Sequence, residues 1–371
     1  MTDARPTIAT FLPNLCGGGA ERVAVNLANG LAERGYRTTF VLSEAIGPYL
    51  ADVSPNVRVV DLHRRHVMTS IAPLARYLRS ERPDVLFSHL DYVSVGALLA
   101  RRLARVDTRV VPVVHVNRSQ GRAHSQFRRE PIVGMAMKWL YPGATRIVVV
   151  SRGAADDLVR TTGVSENLIR VIYNPVITPQ IKTLADEPVD HPWFAPGQPG
   201  VILGIGRLTY PKDFDALIRA FALLRRIVDC RLLILGDGED RDALEGLVKE
   251  LGLTGTVQLP GFVKNPFSYL SRSSLFVLSS TWEALPTVLI EAMACGCPVV
   301  STDCPTGPRE ILDGGKFGRL APVGDIEALS TAMSDVLKTA RIKVPEAALQ
   351  PFLFDTAVEE YVKLIGEITH A

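Results

Sequence analysis

The stretch Trp282–Glu291, which reads WEALPTVLIE, carries two carboxylates, Glu283 and Glu291, with Pro286 between them. Proline suits the first turn of a helix, where its missing N–H costs no hydrogen bond. Gly296 suits the position just after such a helix ends. The sequence therefore predicts a helix with Glu283 on the loop before it and Glu291 about a turn and a half inside it.

Backbone N–H groups at the start of this helix form a candidate anion-binding site beside the two carboxylates. Those of Leu285, Thr287 and Val288 would lack partners within the helix, and such groups bind anions. An anion site between two carboxylates suits a sugar nucleotide, whose diphosphate accepts from N–H groups and whose hydroxyls donate to glutamate. A surface helix with two solvated glutamates is the alternative for this stretch on its own.

Loops after earlier predicted strands could serve the same ligand. The segment GRLTYPKD follows the predicted strand Val201–Gly204, and its Arg207 and Lys212 could clamp a diphosphate from two sides. Glycines and backbone groups after two later strands leave room for a ribose and a nucleobase. The predicted donor-binding residues of this half are Gly206, Arg207, Lys212, Gly236, Asp237, Phe262, Val263, Glu283, Leu285, Pro286, Thr287 and Glu291.

Length and composition indicate two cytoplasmic globular domains. The chain has 371 residues, 47% of them hydrophobic, which suits two buried cores. No apolar run reaches the roughly 18–20 residues that span a bilayer, and the start MTDARPTIATFLP lacks the features of a signal peptide. Five cysteines without a framework spacing indicate a reduced compartment. Cys295 and Cys297 are interpreted as packing residues rather than metal ligands.

Charge is distributed unevenly along the chain. Residues 1–182 contain 24 Lys and Arg against 14 Asp and Glu, a net charge of +10. The remainder contains 17 against 25, a net charge of −8. The basic first half could meet an anionic membrane, a nucleic acid or an anionic acceptor.

The N-terminal half begins with a strand, a glycine-rich turn and a helix, the opening of a doubly wound α/β unit. The turn is not G-x-G-x-x-G, so a dinucleotide fingerprint is weak. Gly18 and Gly19 could let backbone N–H groups approach a ligand closely. A tight turn that needs glycine explains them equally well.

Apolar strands alternate with helices through this half and predict a parallel sheet covered on both faces. Ligands bind beyond the carboxyl ends of such strands, where His89 and His115 fall. His115 ends an apolar strand and leads into a basic loop, so we interpret it as functional. A structural histidine is the alternative.

The arginine-rich loop after His115 leads into an apolar segment with methionine and tryptophan. This order is typical of a membrane-surface element, whereas a solvated charged face beside a core helix is the alternative. The predicted acceptor or membrane residues are Arg118, Arg122, Arg128, Arg129 and Trp139.

A proline-rich segment at 188–199 predicts a linker between the two halves. We predict a Rossmann-like acceptor domain at 1–185, a linker at 186–200 and a Rossmann-like donor domain at 201–354. The last helix, 355–371, could pack back on the first domain.

Taken in order, GRLTYPKD, GDG, GFV and the pair Glu283 and Glu291 resemble the retaining glycosyltransferases of family 4, which have the GT-B fold. The motifs GGGAER near the N-terminus, VSRG at 151–154 and YNP at 173–175 fit the same family, as does His115. The resemblance covers essentially the whole chain. It implies two Rossmann-like doubly wound parallel-sheet domains facing across a cleft. The segment DCPTGPREIL is similar to members that use UDP-sugars to build bacterial cell-surface glycans.

The resemblance also implies roles for single residues. Positions matching Arg207 and Lys212 neutralise the donor diphosphate, the one matching Glu291 binds the ribose, and the one matching Glu283 holds the donor sugar. The loop of Gly18 and Gly19 closes over the phosphates, and His115 lies near the transferred sugar. The expected catalytic residues are Glu283, His115, Arg207 and Lys212.

Neither a metal nor another cofactor is expected, because no D-x-D motif stands at a strand end and two cations can neutralise the leaving group. Retention suggests a carboxylate nucleophile, for which Glu283 is a candidate. The family resemblance points instead to front-face attack, in which the leaving phosphate takes the acceptor's proton.

The function predicted from these observations is transfer of a hexose or N-acetylhexosamine from a UDP-sugar to a lipid-linked, for example polyprenyl-linked, glycan. The enzyme would be cytoplasmic and peripherally attached to the inner membrane. A sugar-nucleotide epimerase of the same fold, a transferase using a GDP- or ADP-sugar and a non-enzymatic binder are the alternatives. A nucleic-acid partner is disfavoured because no aromatic residues are interleaved with the basic ones. The missing fingerprint disfavours an NAD-dependent dehydrogenase.

Overall fold

The structure is a computed structural model of the chain, and it describes residues 5–16, 18–119, 130–339 and 342–370. Three arginines of the predicted basic loop, Arg122, Arg128 and Arg129, lie outside the described residues. The chain divides into two compact units. The first comprises Met1–Pro175 and Phe352–Ala371, and the second comprises Val176–Pro351.

Each unit is built on a parallel sheet whose strands are largely buried on both faces. In the described residues the first sheet has seven strands in the order β3-β2-β1-β4-β5-β6-β7. These strands are β1 (Thr7–Leu12), β2 (Arg37–Leu42), β3 (Val57–Asp61), β4 (Val85–His89), β5 (Arg109–Val114), β6 (Ile147–Val149) and β7 (Ile169–Val171). The second sheet has six described strands in the order β10-β9-β8-β11-β12-β13. They are β8 (Gly200–Ile205), β9 (Cys230–Leu235), β10 (Val257–Gly261), β11 (Leu275–Leu278), β12 (Val299–Thr302) and β13 (Arg319–Ala321).

Helices connect the strands in both units. Those of the first unit are α1 (Gly19–Glu33), α2 (Val67–Glu81), α3 (Asp91–Ala104), α4 (Glu130–Leu140) and α5 (Arg152–Thr162). The second unit contains α6 (Gln180–Asp186), α7 (Phe214–Leu224), α8 (Arg241–Glu250), α9 (Pro266–Arg272), α10 (Thr287–Ala294), α11 (Pro308–Ile311), α12 (Ile326–Lys338) and α13 (Glu346–Leu349). The chain ends with α14 (Phe354–Thr369), which belongs to the first unit.

Strand order reverses once in each sheet, between β1 and β4 and between β8 and β11. Both sheets are therefore doubly wound, and a ligand crevice is expected at the carboxyl ends of these central strands. The connecting helices begin near this edge of each sheet, and side chains cap the N-termini of several of them. Ser151, Asp213, Asn265 and Asp325 each accept a hydrogen bond from a backbone N–H in the first turn of the following helix.

The segment predicted as a linker is packed into the second unit. Trp193 is buried, and the guanidinium of Arg231 on β9 lies 5.1 Å from the centre of its indole ring. Asn265, which precedes α9, donates to the carboxylate of Glu187 at 2.8 Å, and Arg272 on α9 donates to the main-chain carbonyl of Asp186 at 3.1 Å. The proline-rich segment therefore contains only a short 3₁₀ helix, Pro192–Phe194, among its described residues. Neighbouring elements of the second unit hold its side-chain and backbone groups.

Helix α14 packs against α1 through a glycine. A Cβ atom added to Gly30 would lie 2.7 Å from Cγ2 of Val358 and 2.9 Å from Cζ of Phe354. The ring of Tyr361 meets Phe87 of β4 edge to face, with 5.5 Å between ring centres. The C-terminal helix therefore completes the apolar core of the first unit.

Gly30→Ala is expected to destabilise the chain by about 1 kcal/mol, because overpacking against α14 outweighs the better helix propensity of alanine. Gly366→Ala on α14 is the matched control, since a Cβ there meets nothing within 4 Å. That substitution should stabilise the protein by up to about 1 kcal/mol. Urea unfolding of the two variants gives both values, and equal signs would contradict the close packing.

Candidate active site

Loops at the carboxyl edge of the second sheet bring most of the predicted donor-binding residues together. The loop after β8 carries Gly206, Arg207 and Lys212, and the loop after β11 carries Glu283. Since β8 and β11 are the neighbouring strands at which the order reverses, their loops meet at the expected crevice.

Glycines allow the loops after β8 and β9 to run against each other. A Cβ atom on Gly236 would lie 1.9 Å from the carbonyl oxygen of Gly206, and one on Gly238 would lie 2.2 Å from that of Leu208. Gly236 also has a φ of +139°, which side chains rarely adopt. The backbone N–H of Leu208 donates to the carbonyl of Asp237 at 2.9 Å. These glycines are therefore required by backbone contact between two loops.

Lys212 and Glu283 form an ion pair. The distance from Lys212 Nζ to Glu283 Oε1 is 2.5 Å, and the two side chains are 24% and 13% exposed. The hydroxyl of Ser280 donates to the same oxygen at 2.6 Å. An ammonium has three N–H donors, so Lys212 keeps two for another acceptor. Among the described residues no partner contacts Glu283 Oε2, so this oxygen can accept from a ligand hydroxyl.

Arg207 is the exposed cation of this loop. Within the described chain its guanidinium makes no hydrogen bond or ion pair, in contrast to Lys212. A guanidinium with all its donors available can engage a phosphate through two parallel hydrogen bonds. Arg207 and Lys212 therefore bring one unpaired and one paired cation to the same loop.

The start of α10 presents open backbone donors beside Glu283. Helix α10 begins at Thr287, with Pro286 in the extended position before it rather than in the first turn. Within the described part of the chain the N–H groups of Leu285, Thr287 and Val288 donate to no acceptor. Such groups and the helix dipole favour an anion at this point.

The loop after β12 supports this helix start. Gly307 has a φ of +90°, and a Cβ atom on it would lie 2.5 Å from Cδ of Pro286. The hydroxyl of Thr306 donates to the main-chain carbonyl of Glu283. Neither residue was singled out from the sequence, because a lone threonine or glycine in a loop gives no sign of what it will contact.

Glu291 lies half-buried on α10. Burial raises the pKa of the neighbouring Cys295 thiol to about 12, with a further contribution from the negative charge of Glu291. Burial likewise raises the pKa of the Cys304 thiol to about 12. These cysteines are therefore protonated packing groups. Among the described residues no group of three His, Cys, Asp or Glu side chains is placed to hold a metal ion.

Asp237 and Phe262 occupy the outer part of this edge. Hydrogen bonds from the Arg241 guanidinium and from the Gly238 N–H hold the pKa of the Asp237 carboxyl below its usual range. Arg241 also donates to the carbonyls of Gly236 and Leu259, at 3.1 and 2.9 Å, and so ties the ends of β9 and β10 together. Arg241 is not among the residues predicted from the sequence, although it lies four positions after Asp237.

The nearby residues Phe262 and Val263 follow a turn at Gly261, whose φ is +96°. The ring of Phe262 is 81% exposed, and Val263 is half-buried. An aromatic ring this exposed leaves one face open for stacking or for contact with a ligand.

In the first unit, the predicted glycine loop leads directly into α1. Gly18 has extended backbone angles and Gly19 is the first helical residue. A Cβ atom on Gly19 would meet nothing within 4 Å, whereas one on Gly18 would meet only the carboxylate of Glu21. The space beside Gly19 is therefore open, whereas the Glu21 carboxylate fills the space beside Gly18. The roles predicted for the two glycines stay predictions.

His115 is paired with His89 at the carboxyl ends of β5 and β4. The distance from His89 Nδ1 to His115 Nε2 is 2.9 Å. Burial, with a smaller contribution from the neighbouring ring, lowers the pKa of His89 well below its usual value. Burial lowers the pKa of His115 to about 4. Both rings are therefore neutral at pH 7.

Arg118 is held inside the first unit, where it is 7% exposed. Its guanidinium pairs with the carboxylate of Asp91, and the backbone N–H of Arg118 donates to the carboxylate of Asp157 at 2.7 Å. Burial alone would raise the pKa of Asp157, but hydrogen bonds from Arg160, Ser119 and Arg118 together hold it below its usual range. The charge of Arg118 is therefore compensated within the unit.

Helix α4 exposes an apolar stripe. Ile132, Met135 and Trp139 lie on successive turns and are 68%, 64% and 77% exposed. Met137 and Leu140, on the other side of the helix, are buried. In the described part of the chain no helix combines the length and the apolarity needed to cross a membrane.

Two doubly wound parallel sheets, one in each unit, define the GT-B fold class of glycosyltransferases. Residues 17–179 match the family model Glycosyltransferase Family 4, and residues 188–347 match the model Glycosyl transferases group 1. The chain belongs to the glycosyltransferase family whose two halves these models describe.

Three proteins of known name or structure illustrate the similarity. The lipopolysaccharide core biosynthesis glycosyltransferase LpsE of Rhizobium meliloti is 30% identical over 94% of this chain and 96% of its own length. The N-acetylgalactosamine-N,N'-diacetylbacillosaminyl-diphospho-undecaprenol 4-alpha-N-acetylgalactosaminyltransferase of Campylobacter jejuni is 34% identical over 55% of this chain. The match spans 54% of that relative's length. The structure of Anabaena HepE in complex with UDP and glucose superposes with a TM-score of 0.78 at 19% identity, covering 98% of this chain and 100% of the other.

Lowering the pH from 6.5 to 5 should destabilise the first unit through its histidines. In this range the unfolded chain binds protons at His115 that the folded chain, with a pKa of about 4, does not bind. The loss for His115 is about 2 kcal/mol at pH 5. As the pH is lowered from 6.5 to 5, the melting temperature of His115→Gln should fall less than that of the unaltered chain.

The control for this measurement is His66→Gln, which changes an exposed histidine of the same unit. Its pH dependence should match that of the unaltered chain. Parallel curves for all three proteins would show that His115 is not held neutral by the fold.

Proposed function

We propose that this chain is a retaining glycosyltransferase that moves a hexose or N-acetylhexosamine from a UDP-sugar to a lipid-linked glycan in bacterial cell-surface polysaccharide biosynthesis. The observation that carries the proposal is the Lys212–Glu283 ion pair. The exposed Arg207 lies on the same loop as Lys212, and the open start of α10 follows Glu283 in the chain. Cations and helix N–H groups suit a diphosphate, and the carboxylate beside them suits a sugar hydroxyl.

The donor would bind along the carboxyl edge of the second sheet. Arg207 and the two remaining N–H donors of Lys212 contact the diphosphate, together with the N–H groups before α10. The free Oε2 of Glu283 accepts from a hydroxyl of the donor sugar, and Glu291 accepts from the ribose. The glycine-lined loops after β8 and β9 leave space for the nucleoside.

Transfer begins as the bond between the anomeric carbon and the β-phosphate oxygen breaks and negative charge develops on the leaving diphosphate. The two cations and the helix N–H groups stabilise this charge more strongly in the transition state than in the ground state, which lowers the barrier. The positive charges of Arg207 and Lys212 support a mechanism without a metal ion, because the protein itself neutralises the leaving diphosphate.

Retention of configuration is proposed to follow from attack on the same face as the departing group. The acceptor oxygen bonds to the anomeric carbon while its proton passes to the leaving phosphate oxygen. We assign Glu283 to orienting the sugar rather than to nucleophilic attack. Lys212 and Ser280 hold its Oε1, and its Oε2 accepts from a sugar hydroxyl.

Relatives support the choice of donor and acceptor. HepE was crystallised in complex with UDP and glucose, and the Campylobacter relative is named for a diphospho-undecaprenol substrate. LpsE is named for lipopolysaccharide core biosynthesis. A UDP-sugar and a lipid-linked acceptor are the substrates that these proteins suggest for this chain.

Lys212→Ala and Glu291→Gln are expected to lower sugar transfer by about 100-fold or more, because each removes a contact to the donor that matters in the transition state. The measurement is release of UDP from UDP-glucose, UDP-galactose and their N-acetylated counterparts, with and without extracted lipid-linked oligosaccharide. Lys249→Ala is the control, since this exposed lysine lies in the last turn of α8, away from the site.

Transfer at the unaltered rate in a folded Lys212→Ala variant would contradict the assignment of the site. Release of UDP that needs no acceptor, with an altered sugar as product, would indicate the epimerase instead.

We further propose that the chain works in the cytoplasm at the inner membrane, with the stripe of Ile132, Met135 and Trp139 in contact with lipid. An exposed apolar stripe on a helix is typical of elements that lie in a membrane interface. Lys138 on the same helix is exposed, and the net positive charge of the first half favours an anionic surface.

Trp139→Ser should weaken binding to vesicles that contain phosphatidylglycerol by about tenfold or more. The variant lacks the indole ring whose transfer from water into lipid favours binding. Binding of the unaltered chain should weaken at high salt, since part of the attraction is electrostatic. Ile227→Ser is the matched control, because Ile227 is 66% exposed in the second unit. Co-sedimentation that is equal for both variants would exclude the stripe as the contact.

A further inference from the structure

The pair His89 and His115 contains a hydrogen bond whose direction matters for chemistry. Each neutral imidazole has one N–H and one bare nitrogen, and heavy-atom positions alone do not show which nitrogen carries the proton. The ring planes differ by only 17°, and the N···N distance of 2.9 Å is far shorter than the 5.1 Å between ring centres. The rings therefore meet edge to edge, and a single shared proton lies between them.

Two arrangements of protons are possible. In the first, His89 Nδ1–H donates to His115 Nε2, which leaves His89 Nε2 bare. In the second, His115 Nε2–H donates to His89 Nδ1, which places a proton on His89 Nε2. The surroundings of His89 Nε2 decide between them.

His89 Nε2 is completely enclosed and has no hydrogen-bond partner in the described structure. A buried N–H without an acceptor is rare in proteins, whereas a buried acceptor with an unused lone pair is better tolerated. The second arrangement would create such an N–H, and the first would not. The first arrangement is therefore the more stable one.

We infer that His89 is a positioning residue that holds His115 in the Nδ1–H tautomer, so that His115 presents a hydrogen-bond donor to substrate rather than a basic nitrogen. His115 Nδ1 makes no hydrogen bond in the described chain and is not enclosed. An oxygen of a bound sugar or phosphate is the acceptor it suits. This last step rests on the proposed function, whereas the tautomer itself does not.

The consequence for the reaction is specific. A ring nitrogen that already carries a proton cannot take one from the acceptor hydroxyl, so His115 would orient a substrate oxygen instead of acting as general base. Deprotonation of the acceptor is then left to the departing phosphate.

The direct test is a long-range ¹H–¹⁵N correlation spectrum of the full chain with ¹⁵N-labelled histidine at pH 7. The chain has seven histidines, and the signals of interest are assigned by their loss in His89→Asn and His115→Gln. Both rings should show the Nδ1–H pattern. An Nε2–H pattern for His115 would overturn the inference.

Three substitutions of His89 test whether the tautomer matters for transfer. In His89→Asn the amide N–H takes the place of Nδ1–H, so His115 should keep its tautomer. In His89→Asp the carboxylate can only accept, so His115 should change to Nε2–H. His89→Leu removes the contact and leaves His115 free to populate both forms.

Transfer should follow the tautomer: kcat/KM should fall by about tenfold or more in His89→Asp and His89→Leu, and be largely restored in His89→Asn. The spectra should change in the same variants. Equal kcat/KM for His89→Asn and His89→Asp, with their tautomers differing, would overturn the role in positioning. The expected spectra without turnover of any UDP-sugar would refute the proposed function and leave the tautomer standing.

Discussion

The ion pair between Lys212 and Glu283 is the constraint on which the candidate site depends. Its two members come from loops after β8 and β11, and the pair can form only because these strands are neighbours in the sheet. Both side chains are mostly enclosed, so removal of one would leave an unpaired charge in a poorly solvated place. The strand order of the sheet thus determines the position of the Lys212 ammonium, which in turn orients the Glu283 carboxylate.

Support for this pair comes from groups that have no charge. Ser280 donates to the glutamate side chain, and Thr306 donates to its main-chain carbonyl. Gly307 lets the loop after β12 approach Pro286 closely. The loop after β12 therefore supports the start of α10, whose first N–H groups have no acceptor among the described residues.

Much of this arrangement could be predicted from the sequence, because short apolar runs followed by glycine or charged residues mark the carboxyl ends of parallel strands. Those ends converge by geometry alone, which is why Arg207, Lys212 and Glu283 could be grouped before any coordinates were known. Arg241 was missed because its contacts, to carbonyls of two different strands, depend on tertiary packing.

The positions of charged side chains were harder to predict from the sequence than those of apolar side chains. Arg118 belongs to an arginine-rich stretch and was expected at a surface, yet it is buried against Asp91. Sequence shows how many charges a loop carries but not which of them find partners inside the fold. The same limit applies to His89 and His115, whose spacing in the chain does not reveal that the rings touch.

Thermal melting of the unaltered chain and of Arg207→Ala with UDP, GDP, ADP and NAD tests directly whether the loops after β8 and β11 bind a UDP-sugar. UDP should raise the melting temperature of the unaltered chain by a few degrees at about 100 times its dissociation constant. In Arg207→Ala the shift should be much smaller at the same concentration. A larger shift with GDP or ADP would change the donor and keep the site. An equal shift in both proteins, or stabilisation by NAD alone, would show that Arg207 and its loop are not the UDP-binding site.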